Sequence, residues 1–155
     1  MKNIILTMIQ LYMRILSIIL PKVASTKAQK IFFTPKKHAS KSWEIANTEN
    51  ATSLILKDGI HCLVWGNQAA EPILLVHGWE GRASQMSVFL PYLAKNYKLV
   101  AINAPAHGHS EGIHSHPHKF INAIFTAQKH FGAFHTIIGH SMGGGCAVYA
   151  ALEQL

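Results

Sequence analysis

Three short runs of almost unbroken apolar residues constrain this chain most: Pro72–Gly78 (PILLVHG), Lys98–Pro105 (KLVAINAP) and His135–Ser141 (HTIIGHS). A strand that is apolar on both sides must be covered on both, which is the pattern of parallel strands packed between helices. The intervening segments, Ser84–Asn96 and His118–Gly132, carry apolar residues at three-and-four spacing, as at Phe120, Ile124, Ala127 and Phe131. Pro91 is expected to bend or interrupt the first of them. Upstream, Ser53–Lys57 and Ile60–Gly66 flank Asp58-Gly59, a strong signal for a tight hairpin. A hairpin followed by strand, helix, strand, helix and strand predicts an α/β sheet with right-handed crossovers, and there are no internal repeats.

The chain has 155 residues, enough for one ordinary domain. Its formal charge of +7 suggests a nucleic-acid partner until it is divided along the sequence. Residues 1–41 hold eight basic side chains and no acidic one, whereas residues 42–155 hold six basic and seven acidic. The excess belongs to a tail, the body is close to neutral, and a nucleic-acid role is not indicated. Cys62 and Cys146 lie far apart with no metal or redox spacing, so buried free thiols are expected.

The composition divides the chain into an apolar amphipathic segment (1–22), a basic linker (23–50) and a folded body (51–155). Ile4–Leu20 contains one charge, Arg14, and its polar residues Asn3, Thr7, Gln10, Arg14 and Ser17 line one helical face. As a helix it would rise about 25 Å against a hydrocarbon core of about 30 Å, so spanning is marginal. A signal peptide cleaved near Val23–Ser25 would have its apolar stretch interrupted by Arg14. Two further readings stay open: residues 4–20 lie on a membrane surface with help from the following lysines, or they pack on protein. The expected location is cytoplasmic, with or without that membrane contact.

Each apolar run ends in a turn, where open α/β sheets place their sites. The third turn, Gly139-His140-Ser141-Met142-Gly143, has the G-x-S-x-G pattern. To lift a hydroxyl out of a strand-to-helix bend the backbone must double back, and Gly139 and Gly143 leave room for that. A helix starting near Met142 would aim unpaired N–H groups at a reacting carbonyl, with the Met142 amide as one oxyanion donor. The second donor is expected from the first turn, His77-Gly78-Trp79-Glu80-Gly81, at the Trp79 amide. Gly144 and Gly145 lower helix propensity and are expected to permit close packing on the sheet.

From about Thr52 to Leu155 the chain resembles the N-terminal half of an α/β-hydrolase, with HGWEG, APAHGHS and GHSMGG in family order. The lead-in KIFFTPKK also resembles that of some bacterial members. The resemblance implies Ser141 as nucleophile, the Met142 and Trp79 amides as oxyanion donors, and His77 and Gly78 as support for the oxyanion loop. It implies a small acyl substrate of ester or thioester type and no cofactor or metal; dehalogenases and epoxide hydrolases of this fold carry aspartate where Ser141 stands. The family's fourth-strand turn usually opens with Asp and runs P-G-H-G, whereas here it reads Asn103, Pro105, Ala106; that turn shapes the pocket.

The family triad runs Ser, acid, His, yet no histidine follows Ser141 and the single aspartate, Asp58, sits in the hairpin turn. The expectation is therefore a truncated hydrolase sheet whose acid and base lie beyond Leu155, with a catalytically inactive fragment or membrane-associated interaction module as the rival. His77 as an in-chain base and Glu80 as its acid are the weaker alternatives. His107, His109, His114, His116 and His118 could be spaced for zinc, but without cysteine or acids beyond Glu111 they read as solvated loop residues. Trp79 reads as pocket wall and Trp65 as core. Gly143–Gly145 does not make a dinucleotide fingerprint, and there is no P-loop.

Overall fold

The computed structural model describes residues 2–153 and divides the chain into two compact units, Met1–Thr34 and Pro35–Leu155. Met1, Gln154 and Leu155, which close the expected first and last segments, lie outside the described residues, and the side chains of Lys2 and Asn3 are likewise not described.

The first unit is a pair of helices, α1 (Lys2–Ile19) and α2 (Pro21–Phe33). Proline lacks an N–H, and at the first turn of a helix none is needed, so Pro21 opens α2 as well as closing the segment before it. The chain folds back there, bringing the Lys27 ammonium to 5.6 Å from the Tyr12 ring centroid. Residues 23–50 are thus helical over much of a stretch whose lysines and proline suggest a linker. After Pro21, α2 carries Lys22, Ala24, Lys27, Ala28, Gln29 and Lys30, residue types that favour helix. No described helix is long and apolar enough to cross a membrane.

The second unit begins with a short helix, α3 (Ser42–Thr48), whose Glu44 is almost fully buried. Its carboxylate accepts from the Lys41 N–H (3.1 Å) and the Ser84 hydroxyl (2.7 Å) and lies 3.5 Å from Arg82 Nε. A charge removed from water must be paired in this way. Five strands follow: β1 (Thr52–Ile55), β2 (His61–Gly66), β3 (Pro72–Val76), β4 (Lys98–Ile102) and β5 (Thr136–Gly139). The expected hairpin forms: β1 and β2 pair antiparallel with Ile55 opposite His61, and Asp58 (φ 60°) and Gly59 (φ 67°) supply the two positive dihedrals. The sheet order is β1-β2-β4-β3-β5, with β2–β4 antiparallel and β3 parallel to both β4 and β5.

Alternation along each strand divides the core between two faces. Leu74, Val76, Val100 and Ile102 face one helical layer, formed by α5 (Pro117–Phe131) and α6 (Met142–Leu152). Ile73, Leu75, Leu99 and Ala101 face the other side, where Ala83 and Met86 cover them. The first crossover is not the single helix its spacing suggests. It is a 3₁₀ helix over Ala83–Phe89 followed by one α turn, α4 (Leu90–Leu93). Pro91 is responsible in part: it has no N–H to give to the carbonyl of Ser87, which instead accepts the Leu90 N–H in a tighter turn.

Among the described residues β5 pairs only with β3, so its other edge carries unpaired backbone groups. Such an edge is a template for strand addition. The residues 1–155 are expected to self-associate in size-exclusion chromatography, and Thr136→Lys, at an exposed position of β5, to shift the profile toward monomer; a monodisperse parent would contradict this.

Candidate active site

The sharpest bend in the body lies between β5 and α6. Ser141 sits there at φ 52°, ψ −121°, a conformation that L-residues other than glycine rarely adopt, and its side chain is exposed. Strain of this kind is of order 1–3 kcal/mol and persists only where the surroundings enforce it. Here the His140 N–H donates to Val76 O (2.9 Å), and the Gly143 and Gly144 N–H groups donate to His140 O (2.9 Å) and Ser141 O (3.0 Å). A Cβ on Gly139 would stand 2.5 Å from Gly144 Cα, and one on Gly143 would strike the carbonyls of His77 and Val76. Both glycines of the motif are therefore required by approach of α6 to the ends of β5 and β3. Gly144 is also crowded, since a Cβ there would lie 3.1 Å from Gly139 O, but Gly145 faces open space, so the expectation of close packing fails at that position.

The loop after β3 passes directly beside the bend: a Cβ on Gly78 would lie 3.1 Å from Ser141 Cβ and 3.0 Å from His140 Nδ1. Trp79, half-buried, follows, and Glu80 takes a positive φ of 57°. Neither the Trp79 nor the Met142 amide has a hydrogen-bond partner among the described residues. Glu80 accepts from the Lys36 N–H (3.1 Å) and meets His38 Nε2 (3.4 Å). These two contacts hold its carboxyl below the usual range.

His77 is sealed in the floor of this loop at 1% exposure. Its Nε2 accepts the Ala104 N–H (3.0 Å), which leaves the proton on Nδ1 to donate to Gly78 O (2.7 Å). Burial drives its pKa from 6.5 down to about 3. Both nitrogens are committed to backbone, so His77 fixes the loop and has no lone pair to offer Ser141. His107 is buried too, against the rings of His77 (5.0 Å), Phe120 (5.1 Å) and Trp79 (5.1 Å), rather than solvated as a loop histidine would be. Its Nδ1 bonds Pro105 O (2.9 Å) while Nε2 is buried without a partner among the described residues, and burial lowers its pKa.

Asn103 organises the turn after β4. Its Oδ1 accepts the Ala83 N–H (2.7 Å), so its amide nitrogen must donate to His61 Nδ1 (2.8 Å), and His61 Nε2–H then reaches Ser53 Oγ (2.8 Å). The Ser110 hydroxyl joins the same knot, accepting from the His61 N–H (2.8 Å) and donating to Asn103 O (2.6 Å). Ala106 stands at φ 66°, where the family pattern has glycine. This network, like the Glu44 pairing, carries no local sequence signal beyond the polar residues themselves.

The Ser141 hydroxyl makes no hydrogen bond among the described residues, and no three potential metal ligands converge there or elsewhere among them. Cys62 and Cys146 do not compete as nucleophiles: both are buried, and burial raises both thiol pKa values, that of Cys62 to about 11. A cavity of about 470 Å³ is bounded by His38, Glu80, Arg82, His61, Asn103 and His107, but Ser141 does not line it.

Residues 71–154, more than half the chain, match the family described as having the alpha/beta hydrolase fold. A serine hydrolase-like protein of Danio rerio is 30% identical over 95 residues, covering 57% of this chain and 29% of the relative. Among solved structures, a thioesterase domain from the curacin biosynthetic pathway superposes with a TM-score of 0.61 at 24% identity, covering 67% of this chain and 42% of that one. A membrane phospholipase A described as a bacterial virulence factor gives a TM-score of 0.61 at 20% identity over 97% of this chain and 47% of its own. The chain thus spans less than half the length of these proteins, and the structural likenesses speak for the fold.

Two outcomes follow from the packing and from the buried imidazoles. In urea unfolding Gly145→Ala should raise stability by about 0.5–1 kcal/mol, whereas Gly143→Ala should lower it by about 1–3 kcal/mol through overpacking. His77 has a folded pKa of about 3 against an ordinary 6.5, so below pH 6.5 the unfolded chain binds a proton that the folded one refuses. Stability should therefore be fully present above that value and fall as pH drops toward 3, at up to about 1.4 kcal/mol per pH unit for each such histidine. His77→Gln should be less stable at neutral pH yet show a shallower decline.

Proposed function

This chain belongs to the α/β-hydrolase family, and from that premise we propose that it carries the nucleophile half of a serine hydrolase acting on ester, thioester or related acyl groups. The observation that carries the reading is the exposed hydroxyl of Ser141, held in a strained backbone at the N-terminus of α6. In the proposed reaction Ser141 Oγ attacks the acyl carbonyl carbon and its proton passes to a histidine base. The oxyanion is received by the Met142 and Trp79 amides, which have no other partner among the described residues. Collapse expels the leaving group with that proton, and water then hydrolyses the acyl-enzyme. Loss of one such donor typically lowers the rate by about 10²–10³. A serine at this position supports acyl chemistry over the aspartate-dependent opening of epoxides or carbon–halogen bonds. The activities named for two structural neighbours, a thioesterase and a phospholipase A, agree with it.

The base and acid are proposed to lie beyond Leu155, so that residues 1–155 alone are inactive. Supporting this, Ser141 has no hydrogen-bonded base among the described residues, and His77 has both nitrogens engaged with backbone. The test has two arms. A form that continues into a histidine-bearing second half should be labelled by a fluorophosphonate probe on the peptide containing Ser141, and labelling elsewhere or none overturns the assignment. Purified residues 1–155 should not turn over p-nitrophenyl esters; turnover that disappears in Ser141→Ala would show an active site complete without that half.

A further inference from the structure

We propose that the helical pair α1–α2 is a docking element for an anionic lipid surface, with α1 lying in the interface rather than crossing it. The polar residues of α1 that the structure describes, Thr7, Gln10, Arg14 and Ser17, fall on one face. The rest of the circumference is apolar, with Met13 and Leu16 half-buried and a broad arc left open: Ile4, Ile5, Met8, Leu11, Ile15 and Ile18 are each between 48% and 76% exposed. At the far end of α2, Ile31 (67%) and Phe32 (74%) are exposed as well. Soluble proteins rarely leave so continuous an apolar surface in water, and where they do it marks a binding face.

Charge selects the occupant. Residues 1–34 contain five basic side chains, Lys2, Arg14, Lys22, Lys27 and Lys30, and no acidic one. Two copies of this element brought face to face would set like charges against each other, whereas an anionic headgroup layer would meet them with opposite charge. Arg14 sits among the polar residues of α1, where a long side chain reaches headgroups while its stem covers apolar surface. The described helices are too short or too polar to span, and a narrow polar stripe opposite a broad apolar arc is the pattern of a helix lying in the interface. The inference is independent of the chemistry at Ser141.

The test is vesicle flotation of the full chain. Binding to phosphatidylcholine vesicles containing phosphatidylglycerol should fall as salt is raised, and should exceed binding to pure phosphatidylcholine by on the order of a hundredfold, from roughly a tenfold effect per one or two basic residues. Replacing Lys22, Lys27 and Lys30 together by Glu should reduce it to the neutral-vesicle level, and Ile5→Asp with Met8→Asp should abolish it. An alkaline carbonate wash should release the bound protein. Equal binding to neutral and anionic vesicles, or retention through that wash, would overturn the proposal. So would an absence of vesicle binding accompanied by a dimer that the Ile5 and Met8 changes dissolve. Because the salt and lipid dependence is read on the unaltered chain, the outcome does not hang on whether the variants fold.

Discussion

The approach of α6 to the carboxyl end of β3 is the constraint on which the body of this protein depends. At Gly143 the helix comes so near the carbonyls of Val76 and His77 that no side chain fits. That proximity compels the backbone to reverse within two residues and leaves Ser141 in a conformation its own chemistry disfavours. What sustains the bend is the layer behind it: Cys146, Ala147 and Ala150 of α6 join Phe120, Ile124 and Ala127 of α5 over the same face of the sheet. The side chains along α6 are mostly small, which lets the helix sit low. An exposed hydroxyl and a deeply packed helix are two results of one close contact.

Around the bend, position is set by neutral groups. His77 and His61 are each fixed in one tautomer by a donor that leaves no alternative, the Ala104 amide in one case and the Asn103 side chain in the other. A carboxylate at residue 103 could not donate to His61 Nδ1 and would call for the opposite tautomer, with the proton on Nδ1 and the Ser53 hydroxyl donating to Nε2. With asparagine there the network closes without a charge, in keeping with the lowered pKa that burial gives His61. The departure from the family's aspartate therefore has a structural counterpart across the sheet, on β2.

The parts legible in the sequence are those whose cause is local or periodic. The apolar runs give the parallel strands, Asp58-Gly59 gives the hairpin, and the glycine spacing around Ser141 gives the bend. The parts that are not legible have causes far along the chain. Glu44 is buried because Arg82 and Ser84 come to it, and nothing near residue 44 announces them. His107 is buried because Phe120 and Trp79 close over it. Gly145 looks like its two neighbours in the sequence and differs only in which way it faces. The helix over Pro21–Phe33 is hard to read locally because its proline and lysines suit a linker as well as a helix: proline also begins helices, and lysine suits their solvent side.

The staple at Glu80 has a mechanical consequence. The residue next to Trp79 is gripped by the chain at Lys36 and His38, more than forty positions upstream, and those two residues begin just after Thr34, where the first unit ends. The turn that bears the Trp79 amide is thereby restrained from two directions, by the His77 ring on Gly78 O and by the Lys36–His38 segment on Glu80.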